Sequence, residues 1–100
     1  MKVRKMLGID RELFERLQAV CEKEGYMRST FINHMLRQEM DTIHSFGIKD
    51  ERLSRKGKKV KFQINVDEEI YNAIPPKKAQ RIERLLEIVI ADYENGNPRY

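Results

Sequence analysis

A mainly helical α+β fold, made of two strand–helix–helix units in one chain, is what the sequence predicts. Three observations lead there. The stretch Val60-Lys61-Phe62-Gln63-Ile64-Asn65-Val66-Asp67 alternates apolar and polar side chains without a break, the period-two pattern of a half-buried strand. Ile9-Asp10-Arg11-Glu12-Leu13-Phe14 matches Val66-Asp67-Glu68-Glu69-Ile70-Tyr71 in the order of apolar, acidic, helical and aromatic positions, so one unit occurs twice. After each copy, apolar residues recur at helical spacing.

The first strand precedes Asp10. In it Val3, Leu7 and Ile9 point one way and Arg4, Met6 and Gly8 the other, with Lys5 on the nominally buried side. Asp10 is placed to cap a helix whose apolar stripe is Leu13, Phe14, Leu17, Val20 and Cys21, and Gly25 to stop it. Ser29 is expected to cap a second helix with Phe31, Ile32, Met35, Leu36, Met40 and Ile43 on its buried face. Residues 1–43 form the first unit. Residues 44–58 read as a partly helical connector, long enough for the second strand to return beside the first, with Phe46, Ile48 and Leu53 following Ile43 as scattered apolar anchors.

Residues 59–95 repeat the unit. Asp67 is expected to cap a short helix, Glu68 and Glu69 complement its dipole, and Ile70 and Ile74 face inward until Pro75-Pro76 ends it. Pro76 is also acceptable in the first turn of the next helix, where Ile82, Leu85, Leu86, Val89 and Tyr93 form one face. Ile88 and Ile90 widen that face, which is consistent with either core or interface. Asn95-Gly96-Asn97-Pro98 breaks the pattern, leaving 96–100 as a tail.

At 40% apolar and 36% charged residues, one small compact domain is affordable, and burial by self-association would help it. The net charge of +4 is modest but unevenly placed. Arg52, Arg55, Lys56, Lys58, Lys59 and Lys61 follow one another without an acid, and Lys2, Arg4 and Lys5 cluster at the other strand. Both runs lead into strands, so one folded face can gather the charge that phosphates attract. Cys21 is the single cysteine, which excludes an internal disulfide and fits a reducing compartment. No apolar run approaches a membrane span, and no signal-peptide core follows the basic N-terminus, so a soluble, cytoplasmic chain is expected.

Lys61, Gln63 and Asn65 on the outward strand face are a set that can read bases. Gln and Asn pair bidentately with adenine, Lys donates to guanine, and a two-stranded ribbon fits the major groove. A solvated strand face would carry similar residues. The basic approach and the duplicated unit favour the DNA reading.

The order of elements resembles the ribbon-helix-helix family, the fold class of the methionine and Arc repressors. The resemblance covers about Lys2 to Tyr93, most specifically Phe62 to Asp67 and Ile9 through Leu36 with Gly25 and Ser29 between. Tandem units in one chain are similar to those of small transcription regulators of archaeal filamentous viruses, whose length is closer, and of a relaxosome accessory protein of conjugative plasmids. The resemblance implies a pseudo-dimer, with Val3 to Ile9 antiparallel to Val60 to Val66 as a ribbon over four intertwined helices. It implies that Lys61, Gln63 and Asn65 face bases, joined by Arg4 and by Met6 against a thymine methyl, with Gly8 allowing close backbone approach. Helix starts would hold phosphates through Arg28, Ser29 and Thr30 in one unit and Lys77 and Lys78 in the other, assisted by Lys2, Lys58 and Lys59. Because the two strands differ, an imperfectly symmetric half-site is expected.

Enzymatic readings find little support. His34 and His44 are ten apart, Cys21 is isolated, and no carboxylate–histidine cluster has metal-ligand spacing, so neither metal nor cofactor is expected. Asp67-Glu68-Glu69 is explained by the helix dipole. His34 and Tyr26 are expected as packing or surface residues. The reading is a repressor or activator that binds double-stranded DNA, with copies associating on adjacent sites because one ribbon touches few base pairs, and with no membrane or small-molecule partner. The viral likeness would place it inside an infected host cell. The alternatives are a relaxosome accessory protein or an antitoxin-like protein-binding module; the few residues after Asn95 speak against the latter.

Overall fold

In a computed structural model, which describes residues 1–46 and 59–97, both expected strands form and pair with each other. β1 (Lys2–Asp10) runs antiparallel to β2 (Lys59–Asp67), with Lys2 opposite Asp67, Met6 opposite Gln63 and Asp10 opposite Lys59. The alternation sets the faces. Leu7, Ile9, Phe62, Ile64 and Val66 are buried, whereas Arg4, Met6, Lys61, Gln63 and Asn65 are exposed. A two-stranded ribbon is not stable alone, and here one side of it rests on helices.

α1 (Arg11–Glu24) begins as expected: the Asp10 carboxylate accepts the Glu12 N–H at 3.1 Å. It ends at Gly25, whose φ of 77° lies in the left-handed region that glycine enters at least cost. α2 (Arg28–Gln38) starts one residue before Ser29. Its N-cap is Met27, which makes no side-chain cap bond, and the Ser29 hydroxyl is used elsewhere. The expected single helix through Ile43 is also broken at Glu39, after which α3 (Met40–Ser45) turns away while keeping Ile43 in the core and running past the expected unit boundary at 43.

α4 (Glu68–Ala73) follows β2, but Asp67 does not cap it through its side chain. Its carboxylate accepts instead from Arg37 and, at 3.3 Å, from the Asn33 amide. α5 (Lys78–Glu94) starts after Pro75-Pro76, with Lys77 at φ 68° as its first cap. That backbone conformation is uncommon for a residue with a Cβ. Ile82, Leu85, Leu86, Val89, Ile90 and Tyr93 are buried, leaving Ile88 at the surface with 39% exposure.

All buried apolar residues of the described parts belong to one cluster, fed by both strands and by α1, α2, α3 and α5, with Ile74 just after α4. The second helix after each strand packs on the other strand more than on its own. α2 lies against β2, α5 against β1, and α1 against α5. Neither strand–helix–helix segment therefore closes a core by itself. At the α3 end, Arg81 donates to the carbonyls of Ile43 (2.9 Å) and Phe46 (3.0 Å), and His44 Nε2 lies 2.9 Å from the Ala73 carbonyl. The polar contacts satisfy helix-end carbonyls that would otherwise lack partners.

Candidate nucleic-acid interface

The outward face of the ribbon is built by strand register. Asn65 donates its N–H to the Ser29 hydroxyl at 3.1 Å, Asp67 its N–H to Asn33 Oδ1 at 3.0 Å, and Asp10 its N–H to Glu83 Oε2 at 2.7 Å. These amides point to the ribbon's outer edges, so the outward-facing pairs are the ones not joined by ladder hydrogen bonds. Their Cα atoms then stand only about 4.5 Å apart. Arg4 beside Asn65, Met6 beside Gln63 and Gly8 beside Lys61 are thus close neighbours on one exposed surface.

Charge on this surface is one-sided. Between the terminal aspartates the outward positions hold Lys2, Arg4, Lys59 and Lys61 and no carboxylate. The acids at the two ends are compensated. Hydrogen bonds from Arg37, then from Asn33, hold the Asp67 carboxyl below its ordinary range. Lys59 Nζ stands 3.7 Å from Glu83, which is 7% exposed. Met6 is 58% exposed, an apolar tip in the middle of a polar face.

Cation–aromatic stacks brace both flanks. The Arg28 guanidinium lies 5.0 Å from the Phe14 ring and 5.6 Å from Phe62, and those rings meet edge to face at 5.0 Å. On the opposite flank Lys5 stands 5.0 Å and Lys78 5.3 Å from the Tyr71 ring. That accounts for a lysine on the inward side of β1: its stem covers apolar surface while its ammonium meets the ring face at the edge.

Of the phosphate-contacting residues expected from the sequence, Lys2, Arg28, Thr30, Lys59 and Lys77 are exposed and Ser29 is half-buried. Lys78 departs from expectation. Its ammonium donates to the Tyr71 carbonyl at 3.1 Å and to that of Ile74, so it closes the C-terminal end of α4 instead of facing outward. Residue type alone does not reveal this, since the bend at Pro75-Pro76 is what turns Lys78 back. Lys58 lies outside the described residues.

Two residues that hold the ribbon's ends escaped the sequence reading. Asn33 (8% exposed) and Glu83 are the buried polar side chains among the described residues, and each accepts the N–H of an aspartate at a strand's end. A signal existed. Ile32, Met35 and Leu36 align with Ile82, Leu85 and Leu86, and this alignment sets Asn33 over Glu83 on the apolar side of both helices.

Among the described residues there is no group of three or more histidine, cysteine or acidic side chains arranged to hold a metal, and no helix long and apolar enough to cross a membrane. No protein-family model matches the chain, and neither the curated proteins nor the solved structures compared with it gave a match.

Proposed function

We propose that this chain is a sequence-specific regulator of transcription that binds double-stranded DNA with its two-stranded ribbon, as a ribbon-helix-helix pseudo-dimer folded from a single chain. The observation that carries the proposal is the ribbon itself. One face is sealed on the core, and the other presents Arg4, Met6, Lys61, Gln63 and Asn65 to solvent on a width that the major groove admits. Arg4 and Lys61 donate to guanine, Gln63 and Asn65 pair with adenine, and Met6 meets a thymine methyl. Lys2, Lys59, Arg28 and Thr30 flank this strip and supply phosphate contact, with Arg28 pre-ordered by its stack on Phe14 and Phe62.

The pseudo-dimer is supported by contacts that recur between the two segments. Asn33 on the Asp67 N–H has its counterpart in Glu83 on the Asp10 N–H. Arg28 over Phe14 has its counterpart in Lys78 over Tyr71. The first set joins a second helix to the strand of the other segment, and the second joins it to the helix that precedes it. Binding two or more copies at adjacent sites is proposed on the grounds of contact area, because one ribbon spans few base pairs.

The test is selection from a randomised duplex library, followed by salt titration on the winning duplex. A single enriched sequence is expected, with affinity falling steeply as salt rises. Gln63→Ala should cost about 1–3 kcal/mol on that duplex and relax one position. Lys59→Ala should weaken all duplexes alike and lower the salt slope by about 1. Equal, salt-insensitive retention of every duplex would refute the proposal.

A further inference from the structure

We infer that the target is polar: the chain docks in one orientation, reading a guanine–adenine word at one end of its contact and a single position at the other. This rests on the DNA-binding reading above and adds to it the direction of docking.

The register carries the argument. Each strand has nine residues, and Met6 and Gln63 are the middle ones and lie opposite each other. A two-fold through that central pair would exchange Arg4 with Lys61 and Gly8 with Asn65, and neither exchange preserves the chemistry. Arginine offers a planar fork that fits guanine O6 and N7 together, while lysine is a point donor. Asparagine donates and accepts, as the adenine edge requires, while glycine has no side chain to offer. Even the middle pair is unlike, with a thioether facing an amide.

Arg4 and Asn65 are cross-strand neighbours, so the fork and the amide reach adjacent base pairs at the same end. The backbone under Asn65 is held as well, through the Ser29 hydroxyl on its N–H. At the other end Lys61 stands beside Gly8, and Ala79, at the place in α5 that Ser29 holds in α2, has no hydroxyl. A palindromic duplex shows the same edges to both ends. One end of the ribbon would then face bases it cannot read.

Gly8 makes the inference testable, because a Cβ there would meet only Lys61 Cγ at 3.7 Å, an ordinary contact. The triple variant Met6→Gln/Gly8→Asn/Lys61→Arg gives both strands the same outward series of arginine, glutamine and asparagine. Randomised-duplex selection is run on the full chain in parent and triple-variant form. The parent is expected to enrich a sequence without an internal two-fold. Converting that sequence to a palindrome from either half should weaken parent binding about tenfold, the loss of one good bidentate contact. The triple variant is expected to enrich a palindrome instead. A palindrome enriched by the parent, or an unchanged polar sequence enriched by a variant that melts like the parent, overturns the inference while leaving DNA binding intact. Enrichment of nothing by the parent overturns both readings. Should the triple variant melt early, Gly8→Asn alone is used, with a new adenine preference at the Lys61 end expected and no change refuting.

Discussion

Truncating Glu83 tests the account of how the ribbon is held. Its Oε2 accepts the Asp10 N–H at 2.7 Å from a side chain that is 7% exposed, and its other oxygen stands 3.7 Å from Lys59. Lys59 is exposed, so that ion pair contributes only a few tenths of a kcal/mol, about the level of other surface pairs. The hydrogen bond is the larger quantity, roughly 1–3 kcal/mol, because its loss leaves an amide at the strand end without a partner. Removing a carboxylate from a buried position gives some of this back. The net cost of Glu83→Ala is set at about 2 kcal/mol, and a chain of this size should then melt lower by ~10 °C. Glu83→Gln keeps an acceptor of the same shape, so it should stay within about 0.5 kcal/mol of the parent. Thermal and urea unfolding followed by far-UV circular dichroism measure both. An alanine variant as stable as the parent would refute the reasoning. So would a glutamine variant as damaged as the alanine one, since charge and not the acceptor would then matter.

At Gly25, where φ is 77° and nothing lies within 4 Å of an added Cβ, Gly25→Ala isolates backbone strain and should cost about 1–2 kcal/mol in urea unfolding. The Asp67 carboxyl, held low by Arg37 and then Asn33, contributes stability that is present above the unfolded value of about 4 and lost as pH falls through the lower folded value. Arg37→Ala should raise the Asp67 titration midpoint seen by NMR and flatten the acid slope of stability below pH ~4; an unmoved midpoint would count against the pair. Burial pushes the Cys21 thiol up to about 11, so alkylation at pH 8 should be slow in the native chain and fast in denaturant, whereas rapid native labelling would place Cys21 at the surface.

Local chemistry made much of this molecule legible. Strict alternation from Val60 to Asp67 fixed which side chains face outward, because burying Phe62, Ile64 and Val66 leaves Lys61, Gln63 and Asn65 no other side. The Asp10 cap and the Gly25 stop followed from single-residue preferences for those backbone positions. What the sequence hid depends on partners far along the chain. Ser29 and Asp67 both look like caps, yet each bonds across to another element: Ser29 to the edge amide of Asn65, Asp67 to Arg37 and Asn33. Lys78 looks like a phosphate ligand until the Pro75-Pro76 bend delivers the α4 carbonyls to it. Lys5 looked misplaced only because Tyr71, its ring partner, is distant in sequence.

Interlocking is what ties these hidden contacts to the outward face. With α2 seated under β2 and α5 under β1, the two polar pegs, Asn33 and Glu83, each cross from one strand–helix–helix segment to the other. Moving either strand by one residue would therefore turn Leu7 and Ile9, or Phe62, Ile64 and Val66, out into water and strip that strand's aspartate amide of its acceptor. The spacing of Arg4, Met6, Lys61, Gln63 and Asn65 is thus inherited from the core and does not have to be maintained by the exposed residues themselves. Substitutions on the outward face can change its chemistry while the register stays where the buried side puts it. That separation is why giving both strands the same outward series should cost little stability.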